Sequence, residues 1–383
     1  MNQREINKNE SDLIFLVSCA VNKTIPDTQR CADMDEAAVF NLASRHMLSS
    51  AAACALEKVM PLLQHWQNAK GNAKRRLVIY QAERARVLQA LDERGIWYLP
   101  LKGIILKDMY PETSLREMSD NDILCDGEKM GEIKSVMNSL GFTCVEFGKK
   151  HHDVYHKGLT RFEMHSKPFS RAEYPEGFSY YATIKKRLIK DDNNSCGYHM
   201  TDDDLYIYCV NHMYKHYSDA GTGLRSLLDI YVFNKVKGQS LDRGYIGGEL
   251  DCCGIREFEL KTRLLAEKVF SLQTLTESDK AELAVYLDSG TYGTTKNMVS
   301  NRLENDGSKK AKRRYLLRRF FPAEEQLEMN YPIVYRHRVL YPFLVIYRPF
   351  KGLVTKPKTL LGEFRSVRDY NKTEAHCKMR LQQ

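Results

Sequence analysis

Little in the 383 residues announces a function outright. No apolar run reaches the roughly 20 residues needed to cross a bilayer, and the longest, residues 13–21 and 340–347, stop well short. Leu16-Val17-Ser18-Cys19 has the outline of a lipoprotein cleavage site, but Glu5, Glu10 and Asp12 precede it and the apolar stretch is too short for an export signal. The ten cysteines form no C-x-x-C pair and no regular framework, so they read as reduced, mostly buried thiols in a cytoplasmic protein. The glycine-containing run from Ser289 to Lys296 lacks the G-x-x-x-x-G-K-[ST] spacing of a phosphate loop. The absence of G-x-S-x-G, H-E-x-x-H and a dinucleotide fingerprint speaks against an α/β-hydrolase, a zincin and a Rossmann enzyme. There is no internal repeat.

What is there suits a folded chain of two or three compact units. Hydrophobic residues at 43% and charged residues at 28% lie near the globular average. The formal charge of +9 is concentrated late, at Lys309, Lys310, Lys312, Arg313, Arg314, Arg318 and Arg319. An anionic partner fits that cluster, whether a triphosphate, nucleic acid or a membrane surface; so does a solvated helix face.

Periodicity divides the chain. Residues 1–94 read as helical, with Leu77, Val78, Ala85, Leu88 and Leu91 on one side of the clearest helix. Residues 95–200 read as a mixed unit: a strand at 96–101, a short helix at 104–110 stopped by Pro111, a strand at 120–125, and a helix carrying Ile133, Val136, Met137 and Leu140. Strands at 143–147, 153–156 and 161–165 follow, with Gly148 and Gly158 in turn-like settings. This is an α+β pattern, a small mixed sheet with helices. Residues 201–300 read as a second helical segment, with Leu205, Tyr208, Cys209 and His212 on one side and Leu224, Leu227, Leu228 and Tyr231 on another. Residues 301–383 form a basic C-terminal segment, entered by a loop over 301–312 and ending in a tail expected to be poorly ordered beyond Asp369.

Asp120 and Asp122 stand two apart on a strand, so both carboxylates face the same way. At about 4 Å and an effective dielectric near 20 they repel by about 4 kcal/mol, which a divalent cation or a shared proton relieves. Oxygen-only ligands favour Mg²⁺ or Mn²⁺ over zinc. His212 and His216 share a helix face at a metal-ligand spacing, but no third ligand accompanies them. His151, His152 and His156 are open between a shared strand face and a solvated turn.

The ordered set Leu101-Lys102-Gly103, Tyr110-Pro111, Arg116, Asp120-Asn121-Asp122-Ile123-Leu124 and Phe162-Glu163-Met164-His165 resembles the uncharacterised nucleotidyltransferases of the DNA polymerase β superfamily. His212-Met213-Tyr214-Lys215-His216 and the stretch from Arg225 to Asp229 extend the likeness over about residues 75–235. The resemblance implies a polymerase β-like core flanked by helical segments. It implies that Asp120, Asp122 and Glu163 hold Mg²⁺ or Mn²⁺, as two ions about 3.5–4 Å apart. Lys102, Gly103, Arg116, His212 and Lys215 would bind the nucleotide, with Arg116 offering a fork and Lys102 a point charge to phosphate. The expected activity moves an NMP from an NTP to a hydroxyl of an acceptor, which could be a small molecule, RNA or a protein, with release of pyrophosphate. Two positions depart from the pattern: Ile104 replaces the small or hydroxyl residue at the helix start, and Asn121 replaces an aliphatic residue, which should leave that strand less buried. Ile104 and the basic cluster keep open a nucleotide- or nucleic-acid-binding regulator without turnover.

Overall fold

A computed structural model describes residues 5–148, 150–191, 196–306, 310–322, 324, 327, 331–355 and 357–370. The chain divides into two compact units, Met1–Tyr214 with Leu224–Leu287, and Lys215–Gly223 with Asp288–Gln383.

The first unit opens with helices α1 (Lys8–Asn22), α2 (Thr28–Ala32), α3 (Glu36–His46), α4 (Ser49–Leu56) and α5 (Gln64–Glu93). Asn7 and Glu10 form a reciprocal capping box that starts α1, each side chain accepting the other's backbone N–H at 3.0 Å. The would-be lipoprotein motif is part of this helix, with Leu16 and Val17 fully buried. Every residue of α4, Ser-Ser-Ala-Ala-Ala-Cys-Ala-Leu, is buried, its small side chains letting α1 and α5 approach closely. The Glu117 carboxylate accepts the Ser50 N–H at 3.0 Å and so satisfies an otherwise orphaned donor at the start of α4.

Five strands follow: β1 (Tyr98–Pro100), β2 (Asn121–Cys125), β3 (Thr143–Glu146), β4 (His152–Lys157) and β5 (Thr160–His165). They form one mixed sheet in the order β1-β2-β5-β4-β3, in which only the β2–β5 pair is parallel. Between β1 and β2 lie the one-turn α6 (Gly103–Leu106) and two short 3-10 turns; α7 (Met130–Ser139) joins β2 to β3. Ile123, Cys125, Phe162, Met164 and Tyr155 point to one face and bury against Leu77, Val87 and Leu91 of α5 and Ile133, Val136 and Met137 of α7. By the two-residue period of strands, the other face carries Asp122, Arg161, Glu163, His165 and His152.

The buried stripe of α5 differs from the one its apolar residues suggest. Leu77 and Leu91 are buried and Leu88 partly so, but Val78 and Ala85 are exposed. The inward face runs through Tyr80 and Val87, with Arg84 half-buried, because polar groups reach partners on the sheet side. Tyr80 donates to the carbonyl of Ser119 at 2.8 Å, and Arg84 donates to Asn121 Oδ1 at 3.0 Å. Asn121 is therefore fully buried, and its strand is not the less buried one expected.

A small hairpin, β6 (Ile189–Lys190) with β7 (Tyr198–His199), precedes a run of helices: α8 (Pro175–Tyr180) before it, then α9 (Asp202–Asp219), α10 (Leu224–Lys237), α11 (Arg243–Cys252), α12 (Arg256–Phe270) and α13 (Glu277–Ser289). Residues 227–233 of α10 are all buried, so this helix is wrapped on every side.

In the second unit α14 (Thr295–Asp306) is a helix where a loop beginning at Asn301 was expected; its polar residues hide a two-residue apolar anchor, Val299 and Leu303. These pack with Ala311 of α15 (Ala311–Phe320) and Val367 of the helix Pro357–Asp369. The tail from 371, expected to be poorly ordered, and Lys309 of the basic cluster lie outside the described residues. Among the described residues no helix is long and apolar enough to cross a membrane.

Candidate metal centre

The parallel pairing of β2 with β5 sets Asp122 level with Glu163, and Ile123 level with Met164. Both carboxylates stand on the sheet face away from α5 and α7. One ligand atom each from Asp122, Glu163 and His165 lies within 4.8 Å of the others. His165 Nε2 is 3.5 Å from Asp122 Oδ1 and 3.9 Å from Glu163 Oε2. The other Glu163 oxygen accepts from Arg161 at 2.5 Å. His152, directly across from His165 on β4, brings its Nε2 to 3.5 Å from Glu163 Oε2.

Asp120 sits one residue before β2, outside that three-residue group but inside its field. Burial, and then the Asp122 charge, push its carboxyl up to about 6. Asp122 goes the other way: burial would raise it, but the hydrogen bond and charge of His165 hold it below the usual carboxylate range. One carboxyl raised beside another held low marks the concentrated negative charge that a divalent cation relieves. The carboxylates and one imidazole fit a divalent metal by their donor chemistry.

Lys102 stands at the rim. Its backbone has φ +21°, a value rare for any residue with a side chain, and its Nζ lies 3.1 Å from the ring nitrogens of His212 on α9. Burial lowers its ammonium pKa, opposed by the charges of Asp122 and Asp120. Lys102 and His212 are thus brought together, with the acids near enough to act on the lysine. Lys215, three residues further along the same helix, is counted with the second unit, and His216 is exposed. His212 and His216 belong to no metal-holding group among the described residues.

Arg116 is committed to a partner inside the protein. It is buried, with Nε donating to Asp229 Oδ1 at 2.8 Å and Nη2 to Asp229 Oδ2 at 2.9 Å. The fork that would grip a phosphate is closed on a carboxylate of α10. Gly103 has a matching steric role: a Cβ there would stand 3.1 Å from Arg116 Nη1. Ile104 likewise has a structural reason, being buried in the core with Met118 and Ile123 where a phosphate-binding hydroxyl was expected.

Several groups at this site escaped the sequence reading. Arg225 acts electrostatically on Asp120 and donates to the carbonyl of Glu117 at 3.0 Å. Tyr208 on α9 has its phenol held well above its usual pKa by burial and by the nearby charges of Asp122 and Glu163. Tyr208 carries no local motif, and Arg225 opens a stretch of the family likeness that gives it no role of its own. His165 and His152 did carry a signal, since His165 is two residues beyond Glu163 and a turn at Gly158 sets the register opposite it.

Residues 32–271 match the family described as Uncharacterised nucleotidyltransferase. The chain belongs to that family. No curated protein and no solved structure matches it. The small mixed sheet with flanking helices is consistent with a nucleotidyltransferase core.

Proposed function

We propose that this nucleotidyltransferase moves a nucleoside monophosphate from an NTP to an acceptor hydroxyl, using Asp120, Asp122 and Glu163 to hold Mg²⁺ or Mn²⁺. The observation that carries the reading is the parallel β2–β5 register, which sets Asp122 beside Glu163 on one sheet face while burial raises Asp120. When bound, divalent ions would supply positive charge to the triphosphate and lower the barrier at the α-phosphorus. The chain's own residues do the positioning. Lys102, held at the rim by its strained backbone and by His212, offers an ammonium to the phosphate oxygens. Arg161 pairs with Glu163 Oε1, and Oε2, which faces His152, is the oxygen that takes the acceptor's proton. The acceptor oxygen forms a bond to the α-phosphorus, the bond to the bridging oxygen breaks, and pyrophosphate departs with the electron pair. Arg225 balances the negative charge around Asp120.

Incubating the full chain with each α-labelled NTP, Mg²⁺ and cell extract should yield a labelled product. The double variant Asp120→Ala, Asp122→Ala, checked for native circular dichroism, should form none. Label transfer that survives in a folded double variant would refute the reading. Magnesium-dependent NTP binding without product over a broad panel of acceptors would point instead to a nucleotide-binding regulator.

A further inference from the structure

Three histidines crowd the end of the sheet beside Glu163, more than nucleotidyl transfer uses. His151 and His165 are buried, and His152 lies between them in the chain fold, paired across the β4–β5 ladder with His165. One ring nitrogen of each lies within 4.8 Å of one from each of the other two. His151 Nε2 and His152 Nδ1 are 3.4 Å apart, and the three ring centroids are separated by 4.7, 4.9 and 5.5 Å. The backbone fixes the arrangement: the carbonyl of His151 accepts from the Ser166 N–H at 2.9 Å and from the Ser166 hydroxyl at 3.1 Å.

Each imidazole also turns a nitrogen toward an acid. His165 Nε2 faces Asp122 at 3.5 Å, His152 Nε2 faces Glu163 at 3.5 Å, and His151 Nδ1 faces Glu173 at 4.0 Å. The second nitrogen of His165, Nδ1, is buried without a hydrogen-bond partner among the described residues. A buried polar atom in that state calls for a partner, and a metal ion is one that an imidazole nitrogen can take. A metal-ligating histidine characteristically turns its other ring nitrogen to a carboxylate, and here His165 and His152 do so at 3.5 Å, with His151 further off at 4.0 Å. In a tetrahedral zinc site with Zn–N bonds of about 2.0–2.1 Å, neighbouring ligand nitrogens stand about 3.3 Å apart. The His151–His152 separation is already close to that.

We propose that His151, His152 and His165 form a second metal site, which takes Zn²⁺ or a similar imidazole-preferring ion and not Mg²⁺. Imidazole donors select against the hard, oxygen-seeking Mg²⁺, so the two sets of ligands sort two kinds of metal at one end of the sheet. Three protein ligands leave the fourth position to water or to an anionic oxygen, the pattern of an open zinc site. Because His152 reaches Glu163 and His165 reaches Asp122, an ion here would orient both carboxylates through its own ligands.

Zinc titration of the full chain in millimolar Mg²⁺, followed by calorimetry, should show one equivalent bound and not displaced by magnesium. His151→Ala and His152→Ala should each weaken it more than about tenfold, whereas Asp120→Asn should change it by less than about threefold. X-ray absorption on the zinc-loaded wild-type chain covers the case in which a histidine variant misfolds, and should show a shell dominated by imidazole nitrogen. Failure to bind zinc above the level displaced by magnesium, an oxygen-only shell, or loss of zinc in Asp120→Asn but not in folded His151→Ala would overturn the proposal. Zinc binding is read without any transfer reaction, so its failure is distinguishable from failure of the catalytic reading.

Discussion

The Arg116 guanidinium donates twice to Asp229, and the Tyr110 hydroxyl adds a third bond to the same carboxylate at 2.7 Å. Burial would raise the Asp229 pKa, but the Arg116 charge and hydrogen bonds hold it below the usual range. Asp229→Asn would leave a buried cation without its counter-charge and should destabilise the protein by about 3–5 kcal/mol in urea unfolding. If Arg116 instead served a bound phosphate, this variant would lose nucleotide affinity with little change in stability. Lys102 makes the opposite case. At φ +21° it carries backbone strain that glycine would not, so Lys102→Gly should gain stability, by about 1 kcal/mol, while nucleotidyl transfer falls by roughly a hundredfold with the ammonium gone. A variant that loses stability would show that the lysine contacts outweigh the strain.

His46 supplies a pH dependence at the same scale. The imidazole is fully buried at the end of α3 and accepts the Leu224 N–H at 3.2 Å; burial, then the Arg45 charge, lower its pKa to about 4. An unfolded histidine titrates near 6.5, so as pH falls the unfolded chain takes the proton first. Stability is complete above about 6.5 and is lost down to about 4, amounting to about 2 kcal/mol between pH 7 and pH 5. Chemical denaturation across that range, compared with His46→Gln, should show the wild-type chain losing more; parallel curves would remove His46 as the cause.

At the scale of elements, the five strands of the mixed sheet were legible because each is bounded by a glycine, a proline or a cap, whereas the two-residue strands β6 and β7 were not. Gly141 and Gly158, both at positive φ, end a helix and turn a hairpin, and Asp126 caps the 3-10 turn Gly127–Lys129 ahead of α7. The acids at positions 120, 122 and 163 were readable as candidates because their local motifs are short and ordered. The histidine cluster was not, because it exists only once β4 and β5 are paired in register. Nor was the inward face of α5, whose Tyr80 and Arg84 are polar by type and buried or half-buried by partnership. The Asp229 partner of Arg116 was illegible for the same reason, lying 113 residues away in the chain. Asn121 gives a test of this kind of burial. Replacing it with Leu, the more apolar choice, would leave the Arg84 guanidinium without its acceptor and should cost about 1–3 kcal/mol in thermal or urea unfolding. A neutral or stabilising result would mean that the hydrogen bond to Arg84 contributes nothing net.

For the molecule as a whole, a formal charge of +9 matters most where it is concentrated and unpaired with acid. On α15 the side chains of Lys312, Arg313, Arg314 and Arg318 are exposed. Arg314 is tied to Asp306 at 3.0 Å, so the charge offered to a partner comes chiefly from the other three. A folded helix with such a surface predicts binding to polyanions that weakens steeply with salt, since each neutralised phosphate releases counterions. Lys312→Glu, Arg313→Glu and Arg318→Glu together should elute from heparin at markedly lower salt than the wild-type chain. With RNA as the probe, the slope of log affinity against log salt should become shallower by about 2–3. The substitutions lie outside the small core formed by Val299, Leu303, Ala311 and Val367, so unfolding should not move with them. An unchanged elution position and salt slope would return this helix to the status of a solvated surface and leave the acceptor to be sought among small molecules.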